Sequence, residues 1–209
     1  MVRPGWDGRV SPHDLLWGLT HEHLPGDAPD WCQAALHGQP PAVVRRAPPR
    51  PGWVAVGLRG EQRGERYACW LPLAAVGRAL CPEQLRACTP PDAAGLPVWQ
   101  ALCLARDILE GSGLTWGVTG SAAFELACGR RVTHAGSDLD LLLRTPEPLD
   151  PAFARRLLAQ LARAPCRIDV QLQTPRGGVA LAEWARAPAR VMVKSEQGPL
   201  LLSDPWKEG

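Results

Sequence analysis

The 209-residue sequence has no run of about 18 apolar residues, so it offers no helix able to span a membrane. Its opening residues, Met1-Val2-Arg3-Pro4-Gly5-Trp6-Asp7, lack the apolar stretch of a secretory signal, and a cytoplasmic location is the expectation. No CxxC pair occurs among the cysteines at 32, 69, 81, 88, 103, 128 and 166. An odd count without ligand spacing argues against a zinc or disulfide framework and for reduced thiols used as small buried hydrophobes. Lysine is nearly absent, occurring only at 194 and 207, so the basic charge is carried by arginine, which grips phosphate bidentately. Excess charge of either sign is also small: a net +2 excludes a general nucleic-acid or membrane-surface binder. There is no internal repeat and no low-complexity tract. Gly and Pro are plentiful, together about a fifth of the chain, but the apolar segments between the Pro clusters argue against disorder.

The composition changes near residue 90. Residues 1–90 read as a smaller α+β domain, rich in Pro, Gly and Trp (Trp6, Trp17, Trp31, Trp53, Trp70). Ser11-Pro12 has the form of an N-cap followed by Pro at N1, which predicts a helix through Leu15, Leu16 and Leu19. A second short helix is expected from Asp30 to Leu36, stopped by Gly38 and Pro40-Pro41. Val43-Val44, Trp53–Leu58 and Tyr67–Leu71 read as strands, the last two forming a hairpin whose polar loop carries Arg59, Arg63 and Arg66. Thr89-Pro90-Pro91-Asp92 reads as the linker into a second domain, 91–209. There the helix and strand cues alternate. Helices are predicted at Val98–Leu109, Ala122–Cys128 (stopped at Gly129), Asp150-Pro151 onward to Leu161, and Leu181–Ala185. Strands are predicted at Trp116–Thr119, Leu139–Leu143, Arg167–Leu172, Val191–Lys194 and Leu200–Leu202. The result is an α+β domain with a mixed sheet and flanking helices.

Three features of this second domain carry chemistry. Val118-Thr119-Gly120-Ser121 runs a strand into a helix, with a Gly for the tight turn and an exposed helix N-terminus that offers N–H groups to a phosphate. Ser137-Asp138-Leu139-Asp140-Leu141 places two carboxylates at i and i+2, on one face of a strand, where they can share metal ions. Asp169 lies between Ile168 and Val170 in a later strand. Carboxylates set in apolar strands are costly without a cation. If the two strands are neighbours, three carboxylates converge, and two magnesium ions there would activate an attacking hydroxyl and steady a departing pyrophosphate.

The order Gly-Ser, then Asp-x-Asp on a strand, then one more Asp on a later strand resembles the DNA polymerase β-type nucleotidyltransferase superfamily over about residues 100–175. The 16 residues from 122 to 137 that separate Ser121 from Asp138 are more than the common pattern holds. A narrower resemblance covers nearly the whole chain. Pro12-His13-Asp14-Leu15-Leu16-Trp17, Val43-Val44-Arg45-Arg46, Val56-Gly57-Leu58-Arg59-Gly60 and Gly120-Ser121 with Ser137-Asp138-Leu139-Asp140 are similar to the malonate decarboxylase holo-[acyl-carrier-protein] synthases, which are phosphoribosyl-dephospho-CoA transferases. The resemblance implies a nucleotidyltransferase-like fold. It implies transfer from 2'-(5-triphosphoribosyl)-3'-dephospho-CoA to a Ser of the apo acyl carrier subunit of malonate decarboxylase, with pyrophosphate leaving and Mg2+ or Mn2+ as cofactor. Asp138 and Asp140 would then hold the metal, and Asp169 would share it or take the Ser proton. Gly120 and Ser121 would contact the β and γ phosphates, and Arg130, Arg131, Arg144 or Lys194 would neutralise the pyrophosphate.

Arg45, Arg46, Arg59, Arg63 and Arg66 read either as contacts to an acidic carrier protein or the donor's phosphates, or as a solvated basic loop. His21-Glu22-His23 lacks a strong third ligand for zinc, His13 reads as a capping or packing residue, and His134 lies in the loop before Asp138. Two other functions remain open: a nucleotidyltransferase of the same fold using an NTP, and a non-catalytic module that binds a carrier protein or nucleotide. The presence of all three carboxylates argues against the second.

Overall fold

A computed structural model describes residues 9–62, 64–89 and 95–207. Trp6, Arg63 and the Pro90-Pro91-Asp92 part of the expected linker lie outside the described residues. The chain forms two compact units, Met1–Cys81 and Pro82–Gly209. The division falls earlier than the change of composition near residue 90, because the short helix α2 (Pro82–Leu85) packs with the strands that follow it.

The first unit is a five-stranded antiparallel sheet with one α-helix, in the order β4-β3-β2-β1-β5. Its elements are β1 (Leu15–Trp17), α1 (Asp30–Ala35), β2 (Ala42–Val44), β3 (Trp53–Arg59), β4 (Arg66–Pro72) and β5 (Arg78–Leu80). The expected β3–β4 hairpin is formed and pairs from Trp53↔Pro72 to Arg59↔Arg66. The helix expected after Ser11-Pro12 is not formed; Leu15–Trp17 is a strand. Ser11–Asp14 is instead a closed turn, with the Ser11 N–H donating to Asp14 Oδ2 at 2.8 Å and the Asp14 N–H to the Ser11 carbonyl at 3.1 Å. β1 pairs with β2 on one side and β5 on the other, and Leu15 and Leu16, which point to opposite faces, are both buried. Burying two leucines is worth roughly 1.5–3 kcal/mol each, more than an N-cap of about 1 kcal/mol. Gly18 ends the strand at φ +131°, where a Cβ would strike the Ala75 carbonyl.

The second unit is a six-stranded mixed sheet, in the order β11-β10-β9-β8-β7-β6. Its strands are β6 (Thr115–Thr119), β7 (Leu139–Arg144), β8 (Ile168–Thr174), β9 (Gly177–Ala180), β10 (Val191–Ser195) and β11 (Gly198–Leu202). Its longer helices are α3 (Pro97–Glu110), α4 (Gly120–Cys128) and α5 (Pro151–Leu161), and α6 (Leu181–Trp184) is a single turn. Each is held by local chemistry. Asp150 caps α5 by accepting from the Ala152 and Phe153 N–H groups, and Pro151 follows at N1. Gly129 closes α4 in the left-handed conformation at φ +72°. β7 and β8 are parallel, joined by the α5 crossover, and every other pairing is antiparallel. Among the described residues no helix is long and apolar enough to cross a membrane.

The cysteines are all free, but only Cys32 and Cys69 are buried, and Cys103 is exposed. Burial, with Cys32 nearby, pushes the Cys69 thiol up to about 11, which keeps it protonated and inert.

Candidate active site

The parallel pairing of β7 with β8 sets Leu139 beside Ile168 and Asp140 beside Asp169. On the other side, antiparallel β6 sets Thr119 beside Asp140. Directly paired residues share a face of the sheet, so Thr119, Asp140 and Asp169 project the same way, and Asp138 precedes Asp140 by two. Chain segments about 20 to 30 residues apart thus meet at one end of three adjacent strands.

Gly120 follows Thr119 at φ +66° and lies against Asp140, where a Cβ would run into the Asp140 carboxylate. Both the backbone angle and the close approach demand glycine. Gly120 opens α4, and the Thr119 side chain makes no capping hydrogen bond to it. Ser121 is the second residue of that turn and is half-buried.

Along the same face of β6, Gly117 is covered by α2, whose Pro82 and Glu83 backbone fills the space a Cβ would take. Glu83 Oε1 accepts from Arg144 Nε at 2.6 Å. Arg144 is therefore held against α2 at the far end of β7, about 13 Å along the strand from Asp140. The structure does not bring it to the carboxylates. Arg130 and Arg131 are exposed in the segment after Gly129. Lys194, on β10, is exposed and acts on the charge of Asp140 across the sheet.

The electrostatics identify Asp140 as the centre of the cluster. Its pKa is raised, first by burial, then by Asp169 and Asp138, with Arg167 and Lys194 pulling it back. Two neighbouring carboxylates that disfavour ionisation mark a place short of positive charge. Arg167 is the nearer cation: its Nε and Nη2 lie 2.8 and 2.6 Å from Asp169 Oδ1. That ion pair raises the Arg167 pKa, and Asp138 and Asp140 add to the effect. Sequence reasoning treated Arg167 only as a strand residue. Its place two residues before Asp169, on the same side of a strand, was the available signal.

Among the described residues no three His, Cys, Asp or Glu side chains close on one point as a ready metal site. Asp169 is turned to Arg167 instead. The donor chemistry nevertheless fits a hard divalent cation: the cluster is all carboxylate oxygen, and the raised pKa of Asp140 is the penalty a cation would relieve.

A second feature missed in the sequence is Glu125, buried on α4. Its Oε2 accepts from the Val132 N–H at 3.0 Å, the Thr133 N–H at 2.8 Å and the Thr133 hydroxyl at 2.7 Å. These bonds anchor the segment that leads to Asp138. The turn between is closed by the His134 N–H to Ser137 Oγ at 2.9 Å and the Gly136 N–H to His134 Nδ1 at 3.1 Å. His134 thus shapes the loop. In the first unit, His23 Nδ1 accepts from the Thr20 N–H at 3.1 Å in a local cap, and the His13 ring lies 3.3 Å from Arg46.

Comparison with known proteins places most of the chain in one family. Residues 84–205 match the family model described as phosphoribosyl-dephospho-CoA transferase MdcG C-terminal domain, and residues 11–82 match its N-terminal domain. The phosphoribosyl-dephospho-CoA transferase of Pseudomonas aeruginosa is 55% identical over 197 residues, 94% of each chain. Proteins with the same description from Pseudomonas fluorescens and Azotobacter vinelandii are 55% and 48% identical, covering 95% of each chain. No solved structure matches the chain.

Proposed function

The chain belongs to the phosphoribosyl-dephospho-CoA transferase family, and from that premise we propose that it loads the phosphoribosyl-dephospho-CoA group onto a Ser of the apo acyl carrier subunit of malonate decarboxylase. The donor is 2'-(5-triphosphoribosyl)-3'-dephospho-CoA. The Ser oxygen attacks the α-phosphorus, a phosphodiester forms, and pyrophosphate departs. The observation that carries the reading is the juxtaposition of Asp140 with Asp169 and Gly120 at one end of β6, β7 and β8.

Each residue has a role that follows from its place. Asp138 and Asp140 hold Mg2+ or Mn2+, with Asp169 as third ligand or as acceptor of the Ser proton. The bound cation supplies positive charge to the phosphoryl oxygens. The Asp169 side chain is 43% exposed, which leaves it open to an incoming hydroxyl. Gly120 and Ser121 present the α4 N-terminus to the β and γ phosphates. Lys194 neutralises the departing pyrophosphate, with Arg130 and Arg131 as the loop cations on the same path. Phosphoryl transfer needs little else, since positioning and charge supply most of the rate.

In the first unit, Arg59 sits directly opposite Arg66, and burial together with the Arg66 charge lowers the Arg59 pKa. Like charges set opposite each other in a hairpin are destabilising, and an anionic partner removes the penalty. Arg59 and Arg66, with Arg63 between them in the sequence, are the proposed contact for an acidic carrier protein. A cytoplasmic setting goes with this reading.

Donor choice tests the function. Purified protein with apo carrier subunit and Mg2+ should transfer label from triphosphoribosyl-dephospho-CoA and release pyrophosphate. Transfer from ATP instead would replace this reading with an NTP-dependent one.

A further inference from the structure

Arg167 lies inside the carboxylate cluster, yet three observations show that its present partner is easily exchanged. Both of its contacts go to a single oxygen, Asp169 Oδ1, so the planar fork is not matched to both carboxylate oxygens. Its side chain is 71% exposed and that of Asp169 43%, and an ion pair so open to water is readily broken. Its backbone is fixed, because its carbonyl accepts from the Leu139 N–H at 2.9 Å, so only the side chain swings. The guanidinium is surrounded by the negative field of Asp138, Asp140 and Asp169. Those are the groups to which a divalent cation is drawn. A guanidinium and a divalent cation therefore compete for Asp169.

We propose that Arg167 is a donor-binding residue that rests on Asp169 until the donor arrives, then turns to the triphosphate and frees Asp169 for the cation. The triphosphate offers the guanidinium what Asp169 does not, several oxygens of high charge in bidentate geometry. Donor and cation then bind with positive coupling, because each favours the arrangement in which Arg167 has left Asp169. The inference rests on the proposed function for the identity of the anion and for the cation at the carboxylates.

The test uses the full chain without donor and reads Mn2+ binding from the paramagnetic resonance of the free ion. Arg167→Gln should bind Mn2+ more tightly than the wild type, by about 5-fold or more, because the competitor is gone. In metal-free buffer with EDTA, the same variant should bind inorganic triphosphate about 10-fold more weakly, and Arg167→Lys should fall between on both measures. Circular dichroism confirms that each variant is folded. Unchanged or weaker Mn2+ binding in Arg167→Gln, or unchanged triphosphate binding, would overturn the proposal and leave Arg167 as a prop for Asp169. The control is Asp138→Asn/Asp140→Asn. If that variant loses Mn2+ and Arg167→Gln gains nothing, the inference alone fails. If it still binds Mn2+ as the wild type does, the carboxylate site fails with it.

Discussion

Asp140 bears conflicting demands at the scale of a single residue. It is set in an apolar strand beside two other carboxylates, and its pKa lies above the ordinary aspartate value for that reason. An aspartate with a higher pKa in the folded state binds its proton more tightly there. Stability is then greatest below the unfolded pKa and falls as pH rises through the folded one, leaving a deficit at neutral pH. Asp140→Asn should therefore raise the melting temperature at pH 7, by about 2 °C or more, while transfer falls at least ~100-fold. For the wild type, Mg2+ should raise the melting temperature at pH 7 and lose that effect once the pH is below the Asp140 pKa. Calorimetry with and without Mg2+ checks both signs; a wild-type melt indifferent to Mg2+ at neutral pH would count against a cation at this cluster. Gly120 makes a second prediction at this scale. Gly120→Ala forces φ +66° on a residue with a Cβ and drives that Cβ into Asp140. The backbone strain alone is about 1–2 kcal/mol, and the displaced carboxylate should lower kcat by ~10-fold or more. Paired urea melts and transfer assays measure the two effects separately.

At the scale of elements, the connection from α4 to β7 decides where Asp138 stands. Ten residues of irregular chain, 129–138, would otherwise leave it loosely placed. Glu125 accepts three hydrogen bonds from that segment, from within the buried side of α4. Glu125→Ala strands two half-buried backbone donors, at about 1 kcal/mol, and frees the segment. The expected outcome is faster amide exchange at Val132 and Thr133, a lower kcat, and little change in carrier KM. Exchange rates like those of the wild type would show that the loop is held by something other than Glu125. The parallel β7–β8 pair is the other decisive element. An antiparallel β8 entering from the opposite end would put Asp169 elsewhere; the α5 crossover brings both strands in from the same side, so Asp140 and Asp169 lie in register.

On the scale of the whole molecule, the proposed chemistry falls in one unit and an arginine-bearing hairpin in the other. The hairpin's paired arginines predict a binding effect that leaves the chemistry alone. Arg66→Gln and Arg59→Gln should each raise the carrier KM by ~3- to 10-fold at low salt, with kcat unchanged and the difference shrinking at high salt. Steady-state kinetics at two ionic strengths checks this; a carrier KM unmoved by either variant would remove the hairpin from the interface. The exposed Arg66→Gln should also be no less stable than the wild type, because it relieves a like-charge pair.

Local chemistry is written in neighbouring residues, and that part was legible in the sequence alone. Apolar runs bounded by polar turns marked β3 and β4, alternation marked β8, Asp150-Pro151 marked the start of α5, and Gly129 marked the end of α4. The Gly-Ser turn and the three aspartates stood out because charged groups in apolar strands are unusual. Other features depend on partners distant in the chain. Leu15–Trp17 became a strand because sheet neighbours bury it on both faces, overriding the Ser-Pro cue. β9 (Gly177–Ala180) has too few side chains to show a period, and pairing with β8 and β10 makes it a strand. Arg144, read from the sequence as a phosphate ligand, is taken by Glu83, 61 positions earlier. Arg167 looked like an ordinary strand residue until the register placed its guanidinium among the carboxylates. The residues of the cluster could be named from the sequence, but their register could not. Register is fixed by the whole sheet's hydrogen bonding and burial, to which each residue contributes only a small share.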